Sequence, residues 1–254
     1  MRALIIVHDP GSQTTLVGER LVQHGIELVD LEIATFDDPS SDVPFPDPTD
    51  FDLIVPMGAI WSVYDEATIG TWIGRELEFL RAAGAAGVPV FGICFGFQAL
   101  ASAHGGRTIP ADTPQVGWCS IESSVPDVIA EGPWMEWHYD RSDPPADAEI
   151  LARDATCVQA FRLRSNLGVQ FHPEVDLDHV ERWLHGGGHE LMTNEGRSVE
   201  ELLADTAAHW PSAKAKTFRL VDWFLTEFVG LTDLDTSDLD PQRPITSSKD
   251  DRHV

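Results

Sequence analysis

Cysteine, lysine and tyrosine are all scarce in this chain: 254 residues contain three cysteines, three lysines and two tyrosines. No pair of cysteines has C-x-x-C spacing, which argues against a disulfide framework and a structural zinc site. Because lysine is so rare, 17 basic residues face 42 acidic ones, for a formal charge of −25. A surface of that sign lacks the basic footprint that nucleic acids and anionic membranes require, so neither partner is expected. The acidity itself reads as general solubility. No G-x-x-x-x-G-K-[ST] loop is available to cradle phosphates. No apolar run approaches bilayer length, and the stretch Ala3 to Val7 is too short for a secretory core, so a reducing cytoplasm is the expected compartment.

Apolar segments alternate with helix-like ones. Arg2 to Val7 reads as a strand, Gln13 to Gln23 as a helix and Ile26 to Ile33 as a second strand, which opens a βαβ pattern. A connection rich in proline and aspartate, 37–50, leads to a buried strand from Phe51 to Pro56. A helix from Thr71 to Ala83 follows, then a strand from Val88 to Ile93. Alternation of this kind predicts an α/β fold with a mostly parallel sheet covered on both faces. From Gly105 to Gly168 the texture changes to short strands at Gln115 to Ser123, Ala148 to Leu151 and Thr156 to Leu163, and a further strand runs from Leu167 to Phe171. These predict an antiparallel edge, with a hairpin turn at Arg164-Ser165-Asn166. Helix resumes from Asp176 to Leu184. Ser198-Val199-Glu200-Glu201 has the form of a capping box for a helix to about Trp210, and Phe218, Val221, Leu225 and Phe228 recur at helical spacing. A single domain over 1–230 is expected, with C-terminal helices in 196–230 and an acidic tail over 231–254.

The segment Gly92-Ile93-Cys94-Phe95-Gly96 stands where an apolar strand gives way to helix formers. Glycine two residues on either side of a cysteine is what a sharp strand-to-helix turn needs, because side chains there would collide. A thiol at such a turn sits over a helix amino end, whose unpaired N–H groups favour the thiolate. The competing reading is a buried filler, a common fate of free cysteine; for Cys119 and Cys157, which lack flanking glycines, the filler reading wins.

A nucleophilic thiol needs a base, and the base needs an orienting group. Gln170-Phe171-His172-Pro173-Glu174 ends an apolar strand in a histidine, with a carboxylate two residues on. The carboxyl ends of parallel strands share one crevice, so Cys94 and His172 can meet there, with Glu174 holding the imidazole tautomer. His8 follows the first strand and defaults to a structural role. His179, His185 and His189 cluster in sequence, but Gly186-Gly187-Gly188 breaks their helical spacing, so a solvated loop is expected there rather than a metal site. No metal or other cofactor is expected.

With these motifs in place, the chain resembles the class I, triad-type glutamine amidotransferases, in particular free-standing members similar to the glutaminase half of GMP synthase. The resemblance covers about residues 1–185. It rests on Gly92 to Gln98, the loop Gly58 to Glu66 and Gln170 to Glu174, with Val116-Gly117-Trp118 and Trp137-His138-Tyr139-Asp140 as further landmarks. It implies a flavodoxin-like sheet and a γ-glutamyl thioester on Cys94, with His172 as the proton carrier and Glu174 as its partner. The backbone N–H groups of Ala59 and Phe95 would form the oxyanion hole. Gly58, Gln98, Tyr139 and Asp140 would border the substrate. Such a glutaminase would supply ammonia to a separate synthase. The family loop usually begins Gly-Gly-Pro, whereas this chain has Gly58-Ala59-Ile60, and alanine reaches positive φ less freely than glycine. Two alternatives share the fold: a hydrolase that releases an amine from a γ-glutamyl amide, and a non-catalytic binding or regulatory module.

Overall fold

Alternate residues of the first strand enter opposite cores, which is why the sheet must be covered on both faces. In the computed structural model, which describes residues 1–232, β1 (Arg2–Val7) sends Ala3 and Ile5 to one face and Leu4 and Ile6 to the other. The first half of the chain continues with α1 (Thr15–Gln23), β2 (Glu27–Glu32), β3 (Leu53–Pro56), α2 (Glu66–Ile69), α3 (Ile73–Ala86), β4 (Val90–Ile93) and α4 (Phe95–Ala103). Every residue of β3 and β4 is buried, as strands enclosed by helices on both faces require.

The second half supplies β5 (Arg107–Cys119), β6 (Glu122–Ser123), β7 (Trp134–Asp143), β8 (Glu149–Arg153), β9 (Val158–Leu163) and β10 (Asn166–Val169). The main sheet has the order β2-β1-β3-β4-β10-β9-β8-β6. It is parallel from β2 to β10 and antiparallel from β10 outward. The expected hairpin is present: Asn166 pairs with Leu163, and Arg164 takes a left-handed φ of 56° in the two-residue turn. One expectation is corrected. Gln115 to Ser123 does not lie wholly at the sheet edge, because residues up to Cys119 pair with β7 in a separate two-stranded ribbon. From Glu136 onward residues of β7 alternate between buried and half-buried, which suits a ribbon lying across the sheet.

The helices that follow are α5 (Leu177–Trp183), α6 (His189–Asn194) and α7 (Val199–Phe224), with a kinked segment, Leu184–Gly188, joining α5 to α6. The glycine run expected as a solvated loop is a kink between two helices, at which Gly186 and Gly187 leave helical geometry and His185 and His189 are exposed; only His179 departs from the expectation. His179 is fully buried, bonded through its ring to the Gly11 carbonyl (2.9 Å) and to Thr15 Oγ1 (2.8 Å). Ser198 caps α7 by accepting from the Glu201 N–H at 3.2 Å, but the helix does not stop near Trp210. It passes through Pro211, a disruption worth about 3 kcal/mol in an isolated helix. Burial on both sides of the proline offsets that cost, with Leu202 and Thr206 before it and Phe218, Val221 and Phe224 after it. Asp222 then accepts two 2.7 Å bonds from the Arg20 guanidinium, tying α7 to α1. Leu220 and Phe224 complete the core over Ile5, Phe91 and Ile93. The expected acidic tail lies outside the described residues, apart from 231–232.

Candidate active site

At the β4–α4 junction Cys94 adopts φ 52° and ψ −104°, a conformation that costs an L-residue about 1–3 kcal/mol. The surroundings enforce it. The Cys94 N–H donates to the Val169 carbonyl at 2.9 Å, and the Gly96 N–H donates to the Met57 carbonyl at 3.0 Å. A Cβ on Gly92 would lie 2.6 Å from the Gly96 oxygen, and one on Gly96 would overlap the Pro56 carbonyl. Gly96→Ala is therefore expected to lower stability by more than about 3 kcal/mol, because backbone rather than a flexible side chain blocks the methyl group. A denaturation midpoint unchanged from the parent would contradict this close approach.

Parallel pairing of β4 with β10 sets Ile93 level with Val169, so Cys94 and His172 leave neighbouring strands on the same edge of the sheet. The His172 N–H bonds the Met135 carbonyl at 2.8 Å, which fixes the residue just past the strand. A carboxylate can only accept, so Nδ1 of His172 donates to Glu174 Oε1, at 2.7 Å. Nε2 is left on the side of the Cys94 thiol, buried and with no oxygen or nitrogen partner among the described residues. Burial alone would lower the imidazole's pKa, but the neighbouring Cys94 sulfur and the Glu174 carboxylate together raise it well above its ordinary value. Trp183 packs edge-on against the ring at 4.7 Å between centroids. A Cβ on Gly58 would sit 3.3 Å from His172 Cε1 and 3.9 Å from Cys94 Cβ, so glycine keeps the space between base and thiol open.

The loop after β3 is held from below. The Gly58 carbonyl accepts from His8 Nδ1 at 3.0 Å and from Ser12 Oγ at 2.7 Å, and the Ile60 N–H donates to Asp9 at 3.2 Å. The other nitrogen of His8 meets both oxygens of the fully buried Glu76, at 3.0 and 3.1 Å. Both ring nitrogens thus face acceptors and carry protons. Burial opposes that charge, but Glu76 outweighs it and raises the His8 pKa. With its carbonyl pinned downward, the trans peptide linking Gly58 to Ala59 turns the Ala59 N–H the opposite way, and that N–H has no hydrogen-bond partner among the described residues. Ala59 achieves this outside the left-handed region.

Residues 7–184 match the family described as Glutamine amidotransferase class-I. The chain belongs to this family. GMP synthase (glutamine-hydrolyzing) of Thermomicrobium roseum is 38% identical over 132 residues, which cover 48% of this amidotransferase chain and 23% of that protein. The synthase of Photobacterium profundum is 30% identical over 190 residues, covering 67% and 33%. The chain thus spans about a third or less of the length of these relatives. The crystal structure of a glutamine amido transferase from Methylobacillus flagellatus superposes with a TM-score of 0.77 at 22% identity, covering 89% of this chain and 95% of that one. The fold is accordingly the flavodoxin-like sheet with an antiparallel edge.

In this amidotransferase chain Cys94, His172, Glu174, Gly58, Ala59, Phe95, Gln98, Tyr139 and Asp140 all line one cavity of about 460 Å³. Gln98 donates to Gln170 Oε1 at 3.2 Å, and Gln170 in turn reaches Cys94 Sγ at 3.6 Å. Asp140 accepts from the hydroxyls of Ser62 (2.5 Å) and Tyr64 (2.7 Å), whereas the Tyr139 hydroxyl turns to Glu195 at 2.6 Å. The sequence reading missed Asp9, Ser12, Phe36, Trp183, Gly186 to Gly188 and Leu191, which also form the wall. The segment His8-Asp9-x-x-Ser12, lying just past a strand end, was the one available signal for part of it. Among the described residues, no group of three or more His, Cys, Asp or Glu is placed to hold a metal ion. Burial pushes the thiols of Cys119 and Cys157 up to about 11 and about 12, which leaves them protonated. No helix among the described residues is long and apolar enough to cross a membrane.

Proposed function

We propose that the chain hydrolyses the γ-amide of glutamine through a γ-glutamyl thioester on Cys94 and delivers the ammonia to a separate synthase. The observation that carries this reading is the strained Cys94 beside a buried His172–Glu174 pair, with a free Ala59 N–H across the gap. His172 Nε2 already holds the proton given up by the thiol when the sulfur attacks the amide carbon. The developing oxyanion is met by the N–H groups of Ala59 and Phe95, the latter the first residue of α4 and thus without an intrahelical partner. When the C–N bond breaks, His172 returns the proton to the departing ammonia. It then draws a proton from water, whose attack on the thioester releases glutamate and restores the thiol. A nucleophile of this kind needs a reducing compartment, which favours the cytoplasm. The likeness to one part of longer, glutamine-hydrolyzing GMP synthases supports a synthase partner.

Treatment with a γ-glutamyl chloromethyl ketone tests the reading by intact mass. One equivalent should add to Cys94 and be lost in Cys94→Ala, and labelling elsewhere would reject the assignment. The loop clamp gives a second expectation. Ser12→Ala frees one restraint on the Gly58 carbonyl and is expected to lower kcat by about ten-fold or more, with little change in KM, because the Ala59 donor is aimed at the transition state. Ser12→Thr restores the hydroxyl and should recover much of the loss. Equal losses in both variants would mean that the hydroxyl bond is not what matters.

A further inference from the structure

The cavity extends beyond what the γ-amide group needs. Besides Phe95 behind Cys94, six of its lining residues are large and apolar: Phe36, Ile60, Trp61, Trp137, Trp183 and Leu191. Three of them stay exposed around the mouth, Ile60 at 62%, Phe36 at 43% and Leu191 at 39%. The cover over this wall is built for close approach. A Cβ on Gly188 would lie 2.9 Å from the Trp137 ring, and one on Gly186 would lie 3.4 Å from Phe36. The glycine run thus allows backbone to rest directly on two aromatic side chains. Ammonia is small and polar and gains nothing from such walls, whereas a larger apolar group beside the reacting carbonyl would be removed from water by them.

Charge narrows the choice further. The wall carries Asp9, Asp140 and Glu174, and among the described residues it includes no lysine or arginine. A leaving amine that itself bears a carboxylate would add a second anion to the one the glutamyl part already brings, in a cavity with no lysine or arginine and three carboxylates nearby.

We infer that the apolar collar is a leaving-group subsite, and that the chemical class it accepts is γ-glutamyl amides of aromatic or aliphatic amines without an acid group. This rests on the thioester chemistry of the reading above and replaces its ammonia with an amine, so a synthase to receive ammonia is no longer required. Cys94 Sγ bonds to the carbonyl carbon of the γ-amide, the C–N bond on that carbon breaks, and the amine leaves with the proton carried by His172. Water then releases glutamate and regenerates the thiol. Binding of the remote apolar group is used at the step that breaks the bond.

The test compares three substrates with the full chain: γ-glutamyl benzylamide, γ-glutamyl 4-aminobutyrate and glutamine. Glutamate release and the intact mass of Cys94 are followed together. The benzylamide is expected to exceed each of the other two at least ten-fold in kcat/KM, since even one methylene in an apolar pocket changes specificity by about ten-fold or more. Phe36→Ala, on an exposed loop, is expected to reduce the benzylamide-to-glutamine ratio at least five-fold. Acylation of Cys94 with glutamine equal to or faster than the benzylamide would overturn the subsite while leaving the thioester reading in place. An unchanged ratio in Phe36→Ala would equally overturn it. If none of the three substrates acylates Cys94, the thioester reading fails and the subsite with it.

Discussion

Cys94→Ala is expected to abolish acyl-enzyme formation and to lower γ-amide hydrolysis by about 10⁴-fold or more, because it removes the nucleophile set at the strained turn beside His172. Cys119 and Cys157 cannot substitute, being held protonated and absent from the cavity wall. The same position makes a second, independent statement about stability. At φ 52° an alanine keeps the strain of the native turn, whereas a glycine does not. Cys94→Gly should therefore be more stable than Cys94→Ala by about 1 kcal/mol, the reverse of the usual ranking. For a chain of this size that is about 2–4 °C in Tm. A glycine variant that melts below the alanine variant would show that the turn is not strained.

His172→Ala should be nearly as damaging as loss of the thiol, since both proton transfers pass through that imidazole. Glu174→Gln should cost less, about 10²- to 10⁴-fold, because glutamine preserves the space but not the charge that fixes the tautomer. The pH profile separates the two roles. Burial tends to lower the His172 pKa, and Cys94 and Glu174 raise it past 6.5. Removing the Glu174 charge removes one of the raising causes, so the high-pH limb on which imidazolium is lost should move to lower pH in Glu174→Gln. A limb that stays in place would show that Glu174 does not act on the imidazole. The sign for stability follows from the same raised value. The pair's contribution is fully present below about 6.5, the imidazole's unfolded value, and is lost as pH rises through the higher folded value.

The gathering of Cys94, His172 and Glu174 in one cavity, the proposed triad, was legible because each position stands out locally: Cys94 between close-packed glycines, and His172 and Glu174 just past a buried strand. The parallel sheet was legible for a similar reason, since apolar strands alternating with helix formers admit few arrangements. What escaped the sequence depends on contacts between distant segments. His8 and Ser12 act through a carbonyl 50 and 46 positions away, and no side-chain pattern marks the Gly58 oxygen as their acceptor. Local rules stop a helix at Pro211, yet burial on either side and the Asp222–Arg20 pair carry α7 through it. The glycine run at 186–188 reads as a loop in one dimension. Only its approach to Trp137 and Phe36 makes it part of a wall.

The stretch beyond residue 184 lies outside the family match, yet it is interlocked with what the match contains. Trp118 donates to Thr206, Tyr139 to Glu195, and Leu220 and Phe224 fill the same core as Ile5 and Phe91. The groups proposed to break the bond all come from before this stretch, whereas Gly186 to Gly188 and Leu191 shape the cavity from within it. Divergence in these few residues could retune which amine departs while the acyl chemistry stays untouched. A fragment cut at the family boundary would instead lose α7, uncover one face of the sheet and fail as an independent unit of folding.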